Sequence, residues 1–166
     1  MTADALHARL GNFVLTFQAV EGSMVELIVQ IADADPEYVA TLTAELEFTA
    51  KARALDVMYT RFAQIHRITS ESPEPKLHNL AVRIQKLATR RNDLVHSFYA
   101  LLTTVDGTLA LARQPTKLKP SGGLRAQPEE DILPDRLEKE IQEMKQILQE
   151  LEEFRLSVID KQYPAQ

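Results

Sequence analysis

The stretch Arg90-Arg91-Asn92-Asp93-Leu94-Val95-His96-Ser97-Phe98-Tyr99 gathers the side chains of this sequence best suited to chemistry. Arginine presents a planar fork of donors that grips two phosphate oxygens at once. Histidine takes up or releases a proton near neutral pH. Asn92 and His96 are four residues apart, the spacing at which an amide on a helix can hold an imidazole. Together they suit a scissile phosphate, with the arginine on its oxygens and the histidine on the proton. The chain has no cysteine, so thiol chemistry is out. RNA supplies its own nucleophile, the 2′-hydroxyl.

A helical wheel sharpens the reading. At about 100° per residue, with Leu80 at zero, the apolar side chains of this segment gather near about 30° and Arg91 falls at about 20°, inside them. An arginine in an apolar stripe calls for an explanation, because an unpaired buried charge is costly. Two explanations stand open. Arg91 lines a cleft, or it pairs with an acid on another helix while His96 caps the helix end. Arg83 and Arg90 fall outside the centre of the stripe and are expected in solvent. A second face carries His78, Gln85, Thr89, Asn92, His96 and Tyr99. His96 is expected near the C-terminal end of its helix, where the helix dipole favours a protonated imidazole.

The motif lies in the basic part of an acidic chain. Residues 76–125 hold nine cations (Lys76, Arg83, Lys86, Arg90, Arg91, Arg113, Lys117, Lys119 and Arg125) against two acids, while the whole chain carries a net charge of -5. Such asymmetry points to a phosphate-bearing partner. The competing reading is that these cations pair with acids on neighbouring helices.

The elements that must position these residues follow from apolar spacing. Leu6, Leu10, Phe13, Phe17, Val20, Met24, Leu27 and Ile31 recur at steps of three or four and predict a helix over about 4–32, stopped by Asp33-Ala34-Asp35-Pro36. A second helix is predicted over about 43–68, preceded by a short turn at Pro36-Glu37-Tyr38, with Leu46, Leu55, Met58, Phe62 and Ile65 in the core. After the break at Thr69–Pro75, a third helix is predicted over about 75–99, with Leu77, Leu80, Ile84, Leu87, Val95 and Phe98 as its stripe. Asp106-Gly107 between two apolar runs predicts a two-stranded hairpin. Residues 114–127, with two prolines and Gly122-Gly123, read as an exposed loop. A last helix is predicted over about 134–159, with Leu137, Ile141, Met144, Leu148, Leu151 and Val158 at heptad-like spacing. The expected fold is therefore all-α. It is a single domain over 1–166, an up-down four-helix bundle with a small β-hairpin arm and loop, about 101–127, between the third and fourth helices.

Composition excludes several classes. Hydrophobic residues make up 45% and charged residues 26%, a core-forming balance rather than a disordered one. Five glycines and no tryptophan argue against Gly-rich nucleotide folds. His7, His66, His78 and His96 are too scattered in sequence to predict a metal cluster, and there is no Glu-x-x-His pair for a di-iron bundle. No P-loop, nucleophile elbow or Rossmann glycine pattern occurs. No apolar run is read as approaching the roughly 20 residues that span a bilayer, and Met1-Thr2-Ala3-Asp4-Ala5 lacks the basic start of a signal peptide, so a cytoplasmic protein without a membrane partner is expected.

Arg91-Asn92-Asp93-Leu94-Val95-His96 resembles the Arg, polar residue, three variable residues, His motif of HEPN domains. The resemblance covers 91–96 as a motif and 4–160 as an architecture. It implies a metal-independent endoribonuclease of toxin or defence type, needing no cofactor. The implied enzyme is a homodimer whose two motifs line one cleft, and cleavage leaves a 2′,3′-cyclic phosphate. Arg91 and His96 would be catalytic and Asn92 would orient them. Arg90, Tyr99, Lys117 and Lys119 are the expected substrate contacts. An antitoxin or nucleotidyltransferase is a further expected partner. Some HEPN toxins carry a tyrosine two residues after the histidine, where the nucleotidyltransferase acts. Here that position is Phe98 and the tyrosine follows at Tyr99. Other HEPN domains are non-catalytic, so a helical module that binds RNA, a nucleotide or a protein stands as the alternative.

Overall fold

The computed structural model describes residues 2–68, 73–116 and 129–163. Among them run α1 (Ala3–Ala32), α2 (Pro36–Ala44), α3 (Phe48–Ile65), α4 (Pro73–Val95), β1 (Ser97–Thr103), β2 (Leu109–Pro115), β3 (Glu130–Ile132) and α5 (Pro134–Gln162). The protein is mostly helical, with a small antiparallel sheet in the order β1-β2-β3. The chain divides into two compact units, Met1–Phe17 with Thr89–Glu143 and Gln18–Ala88 with Met144–Gln166.

α1 follows its predicted span, and its stripe buries Leu6, Phe13, Phe17, Val20, Met24 and Leu27. It holds an 18-residue stretch long and apolar enough, by length and composition, to cross a membrane, with a third of that stretch buried in the protein. The expectation that no apolar run is long enough is corrected on this point. The core helix of a soluble protein passes the same test.

The predicted second helix, about 43–68, is α3 at 48–65, and a separate helix, α2, precedes it. Asp35 accepts hydrogen bonds from the backbone N–H of Glu37 at 2.9 Å and Tyr38 at 3.3 Å, and Pro36 takes the first helical position. This is a complete N-terminal cap, so the expected short turn becomes the nine-residue α2. Thr43, read as the start of the second helix, is buried in α2. The break at Glu45–Glu47 leaves Leu46 exposed, and Ile65 at the end of α3 is also exposed, while Tyr59 takes a core place instead. α3 ends in a Schellman motif. Ile68 N–H donates to Ala63 C=O at 3.0 Å and Arg67 N–H to Gln64 C=O at 3.3 Å, with Arg67 in the left-handed region at φ 50.

Within the second unit Lys51 Nζ lies 2.5 Å from Glu21 Oε1, and both oxygens of Glu150 accept from Arg83 Nη1 at 2.7 and 2.9 Å. Arg83 was expected in solvent, and the structure pairs it.

α4 stops at Val95, four residues before its predicted end, because residues 97–103 pair with β2 from Ser97↔Pro115 to Thr103↔Leu109. Phe98 is therefore on a strand and 70% exposed rather than in the helix stripe. The hairpin closes through Thr104 N–H to Thr108 C=O at 2.8 Å and Gly107 N–H to Thr104 C=O at 2.9 Å. Gly107 takes φ 82, which a glycine adopts without steric cost. The predicted two-stranded arm gains a third strand, β3, with Leu111↔Ile132 and Arg113↔Glu130 in register. Residues 117–128 of the predicted loop and the break at 69–72 lie outside the described residues.

The sheet's register puts Tyr99, Arg113 and Glu130 in one cross-strand row on the face that also carries the buried Leu111 and Ile132. Arg113 is 4% exposed, and its Nε donates to Glu130 Oε2 at 2.9 Å. The same oxygen accepts from Arg90 Nη1 of α4 at 2.8 Å, and Glu130 Oε1 lies 2.5 Å from Arg136 Nη1 of α5. Glu140 of α5 completes the cluster by accepting from Arg90 Nε at 2.9 Å. Burial alone would raise the Glu130 pKa, but hydrogen bonds and charge from Arg90, Arg136 and Arg113 outweigh it and hold the carboxyl below the ordinary value of 4.5.

A carboxyl depressed in the folded state contributes stability above its unfolded pKa and loses it as pH falls through the folded value. Glu130→Gln should therefore destabilise the protein at pH 7 by about 3 kcal/mol, since it leaves Arg113 buried beside a neutral partner. Its stability should also fall less steeply below pH 4.5 than that of the parent. Urea unfolding midpoints between pH 7 and 3 check both, and parallel pH dependences would contradict the assignment.

Candidate functional site

Arg91, Asn92 and His96 all lie at the C-terminal end of α4. Leu94, between them, is buried and anchors the turn, while Val95 and His96 are exposed. The structure thus brings the motif to one helix end and into the first unit.

Arg91 is half-buried. Its guanidinium carbon stands 5.7 Å from the centroid of the Phe17 ring, and Nη1 donates to Asn92 Oδ1 at 3.1 Å. Its Nε is buried with no hydrogen-bond partner. No acid among the described residues pairs with Arg91. Of the two explanations for an arginine in the stripe, the acid partner is not what the structure places there. A ring face next to a weakly hydrated guanidinium occupies that position instead.

Asn92 was expected to hold the imidazole. Its side chain instead accepts from Arg91, and its backbone carbonyl accepts from His96 N–H at 3.0 Å. Asn92 orients the arginine and closes the last turn, and the His96 ring stays exposed. His96 C=O accepts from Thr116 Oγ1 at 2.7 Å.

The end of α4 is closed by side chains of the sheet. A helix leaves its last carbonyls without internal partners. Asp93 C=O accepts from Ser97 Oγ at 2.6 Å and Arg113 Nη1 at 3.4 Å, and Leu94 C=O accepts from the Tyr99 hydroxyl at 2.5 Å. Tyr99, expected to touch substrate, therefore has its hydroxyl engaged within the fold. Burial, partly offset by Arg113 and Arg90, pushes its pKa up to about 12.

Arg90 was expected in solvent and on the substrate. It is held by Glu130 and Glu140, whose charges outweigh the cost of burial and raise its pKa further. Lys117 and Lys119 lie outside the described residues. Among the described residues no group of three or more His, Asp or Glu gathers in a way that could hold a metal ion. His78 Nδ1 sits 2.8 Å from Asp56 Oδ2, and the His66 ring lies 4.2 Å from the Phe62 ring, both in the second unit. A recess of about 270 Å³ in that unit is lined by Lys76, Asn79, Arg83, Glu150 and Phe154 among others, and holds no motif residue.

Sequence reasoning gave Ser97 no role and missed Arg113, Thr116 and Glu130 as parts of this region. A signal existed for Arg113. Leu109, Leu111 and Arg113 alternate onto one face of a strand, so the arginine had to find a buried acid. No protein-family model, curated protein or solved structure matches this chain.

Adjacent arginines with such different surroundings should respond differently to substitution. Arg90→Ala leaves Glu130 and Glu140 short of a partner and should cost about 3 kcal/mol of stability, as breaking buried ion pairs does. Arg91→Ala removes no ion pair and should cost less than half of that. Thermal or urea unfolding of the two variants separates them, and equal losses would contradict the ion-pair assignment.

Proposed function

We propose that this chain is a HEPN-like, metal-independent endoribonuclease of toxin or defence type, acting in the cytoplasm as a homodimer. The mostly helical fold, with its long helices α1, α4 and α5, supports this reading, and the small sheet would be an addition to the plainest bundles of that family. The observation that carries the proposal is the end of α4. A guanidinium with no acid partner among the described residues, backed by Phe17 and steadied by Asn92, stands beside an exposed histidine at the helix end.

The reaction follows from these groups. The RNA 2′-oxygen attacks the adjacent phosphorus, forming the 2′-oxygen–phosphorus bond as the bond to the 5′-oxygen breaks. His96 moves a proton, either taking it from the 2′-hydroxyl or giving it to the departing 5′-oxygen. Arg91 binds the phosphate oxygens as charge builds on them. The products are a 2′,3′-cyclic phosphate and a 5′-hydroxyl. One subunit offers a single histidine in its motif, and a two-fold dimer supplies a second, so that acid and base can be separate residues. A neutralising antitoxin or a nucleotidyltransferase is the partner that fits this reading.

A second reading has an observation of its own. Arg83, Arg90 and Arg113, three of the nine cations between 76 and 125, are occupied by Glu150, Glu130 and Glu140. That share of the basic excess serves the fold, as a non-catalytic binding module would allow.

Incubation of purified protein with single-stranded RNA in EDTA discriminates the two. The ribonuclease should cleave, leave cyclic phosphate ends and lose about 10²–10⁴ in rate with His96→Ala. Arg91→Lys should also lose activity, because an ammonium cannot make the two-pronged contact. Intact RNA with the parent protein, or full activity in His96→Ala, would overturn the ribonuclease reading.

A further inference from the structure

We propose that the β1–β2 hairpin is the positioning device of the Arg91–His96 motif, with Thr116 acting on His96 itself and Tyr99 on the turn beneath it, an assignment that rests on the ribonuclease reading above.

The argument starts from helix ends. Carbonyls in the last turn of a helix point away with no internal donor, and such ends fray unless something caps them. At the end of α4 the caps come from the hairpin. Asp93 C=O is met by Ser97 Oγ and by Arg113 Nη1, and Leu94 C=O by the Tyr99 hydroxyl. His96 C=O is met by Thr116 Oγ1. Ser97 and Tyr99 belong to β1, Arg113 to β2, and Thr116 follows β2 directly.

His96 is the hinge residue between α4 and β1, and it is gripped on both sides. Its N–H closes the last helical turn onto Asn92 C=O at 3.0 Å, and its own C=O receives the threonine hydroxyl at 2.7 Å. Fixing both peptide groups fixes the direction of the Cα–Cβ bond, and with it the arc through which the exposed imidazole can swing. Thr116 is 20 residues downstream, so the grip exists only while the hairpin is folded. A proton-transfer group displaced by about 1 Å can lose up to about a hundredfold in rate. The hydroxyls of Thr116 and Tyr99 never touch the reacting phosphate. Their effect reaches it through the backbone of 94–96.

Thr116→Val keeps the shape of the side chain and removes the hydroxyl, Thr116→Ser keeps the hydroxyl, and Tyr99→Phe keeps the ring. In the imidazole Cε1–Hε1 spectrum of the full chain, Thr116→Val should move the His96 signal and leave those of His7, His66 and His78 in place, and Thr116→Ser should restore it. In RNA cleavage, Thr116→Val and Tyr99→Phe should each lower kcat about tenfold with KM unchanged. If Tyr99 instead gripped RNA, its loss would raise KM. An unmoved His96 signal in Thr116→Val, or a wild-type kcat in either variant, overturns the proposal. RNA left intact by the parent protein removes the ribonuclease reading, and the imidazole signals then decide the positioning role alone.

Discussion

One carboxylate holds the first unit in register. Glu130, on a three-residue strand, is shared by guanidinium groups from three other elements, Arg90 of α4, Arg113 of β2 and Arg136 of α5. The desolvation of so many charges is expensive, and the arrangement is tolerable because nearly every donor finds an acceptor. Arg90 Nη2, Glu130 Oε1 and Glu140 Oε2 are the buried atoms of the cluster without a hydrogen-bond partner, and Glu130 Oε1 has its ion pair with Arg136. Such a network contributes less to raw stability than apolar packing of equal volume would. What it fixes is geometry, since a shift of any one strand or helix would leave a charge buried without its counter-ion.

The same cluster explains how two adjacent arginines come to differ. Successive residues on a helix point about 100° apart, so neighbours face different surroundings. Arg90 faces the acids of β3 and α5, and Arg91 faces the ring of Phe17 from α1. Arg113 links the network to the helix end, because its Nε serves Glu130 while its Nη1 reaches Asp93 C=O and Ser97 Oγ. The chain of hydrogen bonds therefore runs without a gap from the acidic strand to the turn that carries the histidine.

Much of this was legible in the sequence. The long apolar periods located α1 and α5 nearly to the residue, and Asp-Gly located the hairpin, because those signals are local. The wheel gave Arg91 and Arg90 different surroundings, and in the structure Arg91 stands beside Phe17 while Arg90 meets acids. It then took Arg90 for a solvated residue, since a wheel shows only direction and not what stands opposite. The acids that hold Arg90 lie 40 and 50 residues away. The end of α4 failed for a related reason. Val95 and Phe98 continue a helical period, and only pairing with β2 overrides it. β3 is too short and too acidic for any period to announce it. Spacing alone pairs Asn92 with His96, but the adjacent Arg91 donates to the amide oxygen instead.

The order β1-β2-β3 leaves β1 at an edge of the sheet. Ser97-Phe98-Tyr99-Ala100-Leu101-Leu102-Thr103 contains no charge, no proline and no glycine. Natural edge strands are usually protected against adding further strands by lysine, proline or a bulge. Here the hairpin's proline, Pro115, stands at the end of β2, and the protection is missing from the outer strand. Among the described residues no strand pairs with the outer edge of β1, and while β1 stays joined to a capped helix that edge is a poor template. In a chain whose helix end has come undone, the same seven residues have the composition from which cross-β stacks grow.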